Sequence, residues 1–267
     1  MTAVGCFRVV ITWYAATQKV QILSTQLSRP AVTDRFQGQS PEAVEQWVAL
    51  LYGVCREAQR FAARLALALG VEDDKAAERV WQEAMREHLL HCLQRWPETI
   101  GETADLTALR EWQSEVAHQS EAVRSAWVET RLAPIVLPFV RYWEAAVPAL
   151  GAAMRARWTR IQRDLGFPRE AVRGWLNLRV ERRNGENQVT VNTARGELTH
   201  RAEVCDGRVI RYAIEAPTDR LCAEGARLRE WVETVPCATL AAAERLGRAA
   251  VVALDPCVPY RLEVHDA

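Results

Sequence analysis

Apolar and polar residues follow two different periods along this chain, and the places where the period changes define its predicted elements. Residues 7–13 and 20–27 are rich in apolar and β-branched side chains and are separated by a short polar stretch, which predicts an N-terminal β-hairpin. From Ser40 to Gly166 apolar residues recur every three or four positions, which predicts a series of helices. The chain is therefore expected to begin with a hairpin and to continue as a helical bundle.

Capping residues and prolines set the expected ends of these helices. Ser40 precedes a proline in the pattern of an N-cap, and Asp73 or Asp74 can cap a later helix. Proline lacks the N–H group that a helix interior needs. The other expected helix starts are Val54, Asp105 and about Phe139. The expected helix ends are Gly53, Gly70, Trp96-Pro97 and Gly166. Pro134 and Pro138 are expected to break a helix, and Pro148 is expected to kink one.

Beyond Pro168 the pattern changes from helical to extended. Asn184-Gly185 and Asp206-Gly207 each separate two apolar stretches, and both dipeptides are typical of tight hairpin turns. A small antiparallel sheet is therefore predicted after the bundle. Thr218 can cap a short helix that follows, and Pro236 is the expected start of a last helix.

The predicted fold class is α+β and mainly helical. It consists of a bundle of long helices with an N-terminal β-hairpin and a small antiparallel sheet before the C-terminal helices. We expect three regions: an N-terminal β-hairpin region at 1–39, a helical bundle at 40–175, and, at 176–267, a small sheet with C-terminal helices that carry the tail Asp255-Pro256-Cys257.

Composition places the chain among ordinary globular proteins. It has 267 residues, 49% hydrophobic and 25% charged, which is enough apolar material for one large core or two modest ones. Its 34 basic and 34 acidic residues balance, so no attraction to nucleic acid or anionic lipid is expected. No apolar run has the length of a membrane helix, and seven cysteines without a regular framework suit a reducing compartment. We expect a cytoplasmic protein with no nucleic-acid or membrane partner.

Two cysteines lie where a helical pattern stops or restarts, and they are the candidate chemistry of the chain. Gly53 interrupts one apolar run and another begins near Val54, so Cys55 is expected in the first turn of a helix, where unpaired N–H groups favour a thiolate. Prolines flank Cys257 and cannot continue the last helix, so a turn presents its thiol. A soft metal could reach both sulfurs. The alternative is that each is a small buried hydrophobic residue.

Several short motifs resemble those of one family. Leu51-Tyr52-Gly53-Val54-Cys55 and Asp255-Pro256-Cys257 are similar to the two CxxC motifs that hold the metal site of the nickel-iron hydrogenase large subunit, with Tyr52 and Tyr260 each in place of one cysteine. Further stretches that match in the family's order are Glu87-His88-Leu89-Leu90-His91, 194–200, 206–212 and 216–218. The chain is far shorter than a catalytic large subunit. It therefore most resembles the HupK/HoxV family of large-subunit paralogues that assist hydrogenase maturation, and the resemblance implies a large-subunit-like fold.

The resemblance also implies roles for individual residues. Cys55 matches a ligand that bridges two metals and Cys257 a terminal one, whereas the phenols of Tyr52 and Tyr260 stay protonated and are harder ligands. Stable nickel binding and hydrogen turnover are therefore not expected, and the chain is expected not to be an enzyme. Two thiolates still suit a low-spin iron that carries its own ligands, the Fe(CN)2(CO) unit. Arg195 matches an arginine over the metal site that could donate to cyanide; the alternative is a surface salt bridge.

The remaining polar residues of these motifs have less specific roles. His88 and His91 lie three apart on one helix face as a possible ligand pair, but packing within a bundle is the favoured interpretation because no third ligand is placed nearby. His200 matches a motif histidine and is expected to orient its loop. Asp255 is expected to be a turn or helix-end group rather than a general base. The sequence shows no nucleophile, base and acid set.

These expectations lead to one preferred function and two alternatives. The preferred function is a non-catalytic scaffold for nickel-iron hydrogenase maturation, which transiently holds the Fe(CN)2(CO) unit through Cys55 and Cys257. The resemblance implies three partners: the hydrogenase large-subunit apoprotein, a small cysteine-bearing maturation chaperone, and an iron-scaffold protein. The alternatives are a reduced large subunit with residual redox activity and a metal-free docking chaperone.

Overall fold

The computed structural model describes residues 5–70, 73–223 and 225–267. Its strands are β1 (Cys6–Tyr14), β2 (Lys19–Ser28), β3 (Arg179–Arg183), β4 (Glu186–Thr193), β5 (Gly196–Cys205), β6 (Arg208–Glu215) and β7 (Tyr260–Asp266). Its helices are α1 (Pro41–Leu51), α2 (Arg56–Ala66), α3 (Asp74–Leu90), α4 (Trp96–Glu98), α5 (Thr107–Glu111), α6 (Glu121–Trp127), α7 (Ala133–Ala146), α8 (Pro148–Leu165), α9 (Val172–Leu176), α10 (Pro217–Ala223), α11 (Gly225–Val232) and α12 (Leu240–Leu254). The fold class is α+β and mainly helical, as the sequence predicts.

The chain forms two compact units, each assembled from separate segments. Among the described residues, the first unit comprises Arg29–Met85 and Phe167–Asp219. The second unit comprises Gly5–Ser28, Arg86–Gly166 and Arg220–Ala267. The expected division into regions 1–39, 40–175 and 176–267 stays a prediction. Within the described ranges, no helix is long and apolar enough to cross a membrane.

The first unit contains an antiparallel sheet of order β3-β4-β5-β6, and α2 packs against β4 and β5. Asn184-Gly185 joins β3 to β4 with φ of 52° and 84°, and Asp206-Gly207 joins β5 to β6 with φ of 49° and 71°. Positive φ at both turn residues is the backbone that a two-residue hairpin between twisted strands requires. Both predicted hairpins are confirmed.

Local capping starts two helices of the first unit at the predicted residues. The Ser40 hydroxyl accepts a hydrogen bond from the backbone N–H of Ala43 at 3.3 Å, and Pro41 occupies the first helical position. Asp73 Oδ1 accepts from the backbone N–H of Ala76 at 2.7 Å and caps α3. Both predicted caps are therefore confirmed.

The second unit contains a three-stranded sheet of order β2-β1-β7. Its antiparallel hairpin of β1 and β2 is the predicted one, whereas β7 is an addition that pairs with β1 in parallel. Helix α12 lies against this sheet at Gly247, where a Cβ atom would meet Ile11 Cδ1 at 2.9 Å. The missing side chain therefore sets how closely α12 approaches the sheet.

The prolines of α7 and α8 act differently from the sequence prediction. Pro138 lies inside α7 rather than ending it, in the second turn, where it removes one backbone hydrogen bond. The kink expected at Pro148 is a complete break, because the preceding Val147 is forced out of the helical region, to φ −143° and ψ 87°. After the break, Gly151 permits a close approach of α8 to the backbone of Glu144 in α7.

The single long helix expected from Asp105 onward is interrupted. Helix α5 passes into a π-helical turn at Trp112–Val116, and α6 starts afresh after Ser120, whose hydroxyl accepts from the N–H of Val123 at 3.4 Å. The N-cap at Ser120 thus starts a new helix, although the helical spacing of apolar residues continues through it.

Two expected helix starts in the last third of the chain are also wrong. Thr218 does not start the short helix, because α10 begins at Pro217. Helix α12 begins after Thr239, whose hydroxyl accepts from the N–H of Ala242 at 3.1 Å, and not at Pro236. A proline fits the first helical turn but offers no side-chain acceptor to cap it.

Candidate functional site

Cys55 lies at the junction of a short 3-10 turn, Gly53–Cys55, with α2. It is the N-cap residue, with φ −128° and ψ 44°, and not a residue of the first turn as predicted. The N–H groups of Glu57 and Ala58, which were expected to favour a thiolate, donate instead to the Glu83 carboxylate at 2.8 and 3.1 Å. Glu83 therefore takes the first-turn donors that would otherwise face the sulfur.

A side-chain donor contacts the half-buried sulfur of Cys55 instead. The amide Nε2 of Gln59, one turn further along α2, donates to Cys55 Sγ at 3.6 Å. Gln59 is itself 1% exposed, so water competes little with the sulfur for its amide N–H. Donation to sulfur favours the thiolate over the neutral thiol, because the charged acceptor makes the stronger hydrogen bond.

The orientation of the Gln59 amide is fixed by two further buried groups. Gln59 Oε1 lies 2.9 Å from His200 Nε2, and His200 Nδ1 lies 2.7 Å from the hydroxyl of Tyr212. Burial lowers the pKa of His200 to about 3, so the ring is neutral and carries one N–H group. Since an amide oxygen only accepts, His200 donates through Nε2 and accepts the Tyr212 hydroxyl at Nδ1.

These contacts form a directed chain of hydrogen bonds, which we call the Cys55 network: Tyr212, His200, Gln59 and Cys55. Burial raises the pKa of Tyr212 well above its usual value, and the nearby Tyr52 adds to the shift, so the hydroxyl at the start of the chain keeps its proton. Each donor in turn points toward the sulfur. His200, expected only to orient a loop, lies in β5 and fixes an amide of α2.

Sequence reasoning missed Gln59. One signal was present, because Gln59 lies four positions after Cys55, and residues at that spacing share one face of a helix. The link from Gln59 to His200 spans 141 positions and could not be inferred from spacing.

Arg195 lies in the tight connection between β4 and β5, in the same unit as Cys55. Its backbone N–H donates to the hydroxyl of Thr193 at 3.3 Å, which fixes the turn that presents it. The side chain is half-buried. Its predicted contact with a bound ligand stays a prediction.

Cys257, in the second unit, follows the end of α12. The helix stops at Leu254, and Asp255 takes the left-handed conformation, with φ 52° and ψ 57°. Asp255 in this conformation and the following Pro256 end the helix and turn the chain toward the half-buried Cys257. The predicted stop of the last helix before the Asp255-Pro256-Cys257 turn is confirmed.

The carboxylate of Asp255 is buried among cationic and polar groups of the second unit, which we call the Asp255 cluster. Oδ2 accepts from Arg157 Nη2 at 2.8 Å, and Oδ1 accepts from Arg95 Nη1 at 3.3 Å. His91 Nδ1 also lies 3.3 Å from Oδ1, while its Nε2 accepts from Trp96 Nε1 at 3.0 Å. Asp255 thus anchors the turn before Cys257, which agrees with its expected role as a helix-end group.

His88, like His91, lies beside a buried aspartate. Its Nε2 lies 3.1 Å from Asp164 Oδ2, and both side chains are fully buried. Burial lowers the pKa of His88 to about 3, with the charge of Arg157 acting in the same direction, so the ring is neutral. Burial alone would raise the pKa of Asp164, but bonds from His88 and Arg163 outweigh it and lower that pKa. These bonds favour packing over metal ligation for the histidine pair.

The tyrosines that stand where the family has cysteines were expected to remain protonated. Burial raises the pKa of Tyr260, although the positive charges of Arg248 and Arg95 oppose the shift. A phenol that keeps its proton is a poor metal ligand. Among the described residues, no group of three or more histidine, cysteine, aspartate or glutamate side chains could hold a metal ion.

The structure divides the predicted ligands between the two units. Cys55 and Arg195 belong to the first unit and Cys257 to the second. A shared site made by the three residues stays a prediction.

Comparison with known proteins identifies the fold. A solved chain of an NAD+-reducing nickel-iron hydrogenase, in its H2-reduced state, superposes with a TM-score of 0.55 over 89% of this chain and 92% of that chain, at 13% identity. The fold is nickel-iron hydrogenase large-subunit-like. No protein-family model matches the sequence, and no curated protein matches it. The fold that the sequence motifs implied is thus confirmed.

Proposed function

We propose that this protein is a non-catalytic scaffold for nickel-iron hydrogenase maturation, which transiently holds the Fe(CN)2(CO) unit through Cys55 and Cys257 before transfer to the large-subunit apoprotein. The observation that carries the proposal is the Cys55 network, which directs a buried amide N–H at the sulfur of a candidate ligand. The likeness in fold supports it, because the motifs that match the family then lie on a related framework.

The ligand set supports a carrier better than a catalyst. Two candidate thiolates remain where the resembled metal site uses four, and Tyr52 and Tyr260 replace the other two. Two thiolates cannot reproduce the coordination of a nickel-iron pair, but they can complete the shell of a low-spin iron that brings its own cyanide and carbonyl ligands. Fewer protein bonds also allow easier release, which a carrier needs.

Arg195 is proposed to recognise the cargo. A guanidinium donates planar, charge-assisted hydrogen bonds, and cyanide nitrogens on iron are negatively charged acceptors. The hydrogen bond from its backbone N–H to Thr193 fixes the turn from which the side chain extends. The proposed partners are the large-subunit apoprotein, the small cysteine-bearing chaperone and the iron-scaffold protein.

Infrared spectroscopy tests this function. Protein purified after co-expression with the hydrogenase maturation machinery should show cyanide and carbonyl stretching bands, and these bands should disappear in Cys55→Ser and in Cys257→Ser. Cys205→Ser is the matched control, because Cys205 is exposed and lies outside both motifs. Absence of the bands from the unmodified protein would reject the proposal. Stoichiometric nickel with hydrogen-dependent dye reduction would instead support a reduced catalytic subunit.

One observation favours a metal-free docking chaperone as the second candidate. Trp47 and Leu50 lie one turn apart on α1 and are 53% and 69% exposed, so an apolar helix face is presented shortly before Cys55. Such a face is typical of a protein-binding surface. A Cys55→Ser, Cys257→Ser double variant that still supports full hydrogenase maturation would favour this candidate.

A further inference from the structure

A cavity of about 330 Å³ lies in the first unit, along α2 and the start of α3, and we call it the arginine cavity. Its volume falls in the range of small-molecule sites. The residues that line it are Glu57, Arg60, Phe61, Arg64, Asp73, Ala76 and Arg79. Phe61 and Ala76 are buried and provide its apolar part, while the charged part contains three guanidinium groups and two carboxylates.

One buried carboxylate holds two of the guanidinium groups. Glu45, which is 7% exposed, accepts from Arg60 Nε at 3.0 Å and from Arg64 Nη1 at 3.3 Å. The two arginines lie one turn apart on α2, so this single acid sets the direction of both. One negative charge against two positive charges leaves this group of three side chains cationic.

The third guanidinium comes from the other side of the cavity. Arg79, on α3, donates through Nε to Glu57 Oε2 at 3.3 Å. A guanidinium has five N–H donors, so a bond through Nε engages only one of them. The side chains of Arg60 and Arg79 are each 50% exposed, so a ligand from solution can reach both.

The two carboxylates of the lining are engaged in the framework. Asp73 Oδ1 caps α3 through the backbone N–H of Ala76, and Glu57 pairs with Arg79. We infer that the arginine cavity binds a small multivalent oxyanion of the phosphate or carboxylate class. Guanidinium groups match such oxyanions in geometry as well as in charge, and Phe61 offers an apolar surface beside them. This inference does not depend on the proposed function, because it uses none of the candidate iron ligands.

Calorimetric titration of the 267-residue chain tests the inference. Inorganic phosphate is the probe in one arm and citrate in the other, each at constant ionic strength maintained with sodium chloride. We expect saturable binding with one site per chain in at least one arm. Arg79→Gln, which leaves Glu45 and its two partners in place, and Arg60→Gln should each weaken binding about ten-fold or more.

A matched control separates local binding from general charge effects. Arg182→Gln removes one exposed arginine of β3 in the same unit and should leave the affinity unchanged. Circular dichroism confirms that each variant is folded before titration. The inference is overturned if neither probe binds saturably, or if Arg79→Gln and Arg182→Gln weaken binding equally.

Discussion

The two candidate thiols are positioned by different physical means. A neutral chain of hydrogen bonds that starts at Tyr212 and passes through His200 ends on the Cys55 sulfur itself. At Cys257 the described contacts act two residues earlier, because charged side chains hold the Asp255 carboxylate and thereby the turn. Of the described contacts, those near Cys55 reach its sulfur, whereas those near Cys257 hold the backbone turn that precedes it. Substitutions in the two regions should therefore fail in different ways.

The largest effect is expected at the Asp255 cluster. Asp255→Ala leaves Arg157, whose side chain is 12% exposed, without its buried counter-charge and should lower the free energy of unfolding by about 3–5 kcal/mol. Urea unfolding measures this loss. Glu263→Ala is the control, since the pair of Glu263 with Arg8 is exposed to solvent and its removal should cost much less. Equal losses in the two variants would show that the cluster does not anchor the second unit.

Stability should depend on pH through one buried histidine in each unit. His88 and His200 have pKa values lowered to about 3 from 6.5, so below pH 6.5 the unfolded chain binds protons that the folded chain does not. Stability is therefore complete above pH 6.5 and falls as the pH drops from 6.5 toward 3. At pH 5 we expect a loss of about 2 kcal/mol for each histidine relative to pH 7.

Comparing urea unfolding at pH 7 and pH 5 tests this dependence. The His200→Asn variant should lose about 2 kcal/mol of the pH effect, whatever its absolute stability, because the contribution of that ring is gone. A full-sized pH effect in the variant would contradict the assignment of His200 as a neutral buried ring.

A smaller effect is expected where α12 meets its sheet. In Gly247→Ala the new methyl group would lie 2.9 Å from Ile11 Cδ1, closer than a real Cβ contact, so the buried end of the Ile11 side chain or the helix must shift. We expect a loss of about 1–3 kcal/mol in the free energy of unfolding. Thermal unfolding measures it, with Gly174→Ala as control, because a Cβ atom at Gly174 meets nothing within 4 Å. Equal stabilities would show that close contact at Gly247 is not required.

The smallest energetic effect, and the most specific, concerns the Cys55 network. Gln59→Leu removes the amide donor and should slow alkylation of Cys55 by iodoacetamide at pH 7 about three- to ten-fold, because the thiolate loses a hydrogen bond. Tyr212→Phe should slow it less, since it removes only the group that orients His200. Peptide-resolved mass spectrometry follows Cys55 separately from the other cysteines.

The direction of the change in alkylation rate distinguishes loss of the hydrogen-bond donor from local unfolding. Local unfolding would expose Cys55 and accelerate alkylation, whereas loss of a donor slows it. Thr190→Val, which breaks a buried hydrogen bond to Thr199 in the same sheet, is the control and should leave the rate unchanged. Faster alkylation in Gln59→Leu would contradict the role given to the amide.

Features that depend on neighbouring residues were predictable from the sequence. The turn at Asn184-Gly185 needs positive φ, and the helix start at Ser40 needs a side-chain acceptor, so each is encoded where it occurs. The motif pattern also predicted the large-subunit-like fold. In contrast, the helix break at Val147 was expected only as a kink, because sequence alone does not say how far the residue before a proline leaves the helix.

Features that depend on distant pairing were not predictable. β7 carries the alternation of a strand at Tyr260, Leu262 and Val264, but its parallel partner β1 lies more than 240 positions earlier, so this pairing could not be inferred from local sequence. Cys55 and Cys257 were found from helix ends and motifs, but the Cys55 network needs α2 and β5 to meet. Local sequence signals therefore identified the candidate ligands, whereas the side chains that surround them come from elements distant in the sequence.

X-ray absorption at the iron K-edge, on protein co-expressed with the maturation machinery, tests the central claim most directly. The account predicts two sulfur ligands per iron at about 2.3 Å, the usual metal–thiolate distance. It also predicts loss of one sulfur, or of the iron, in Cys55→Ser and in Cys257→Ser. An iron shell without sulfur, or one that both substitutions leave unchanged, would contradict it.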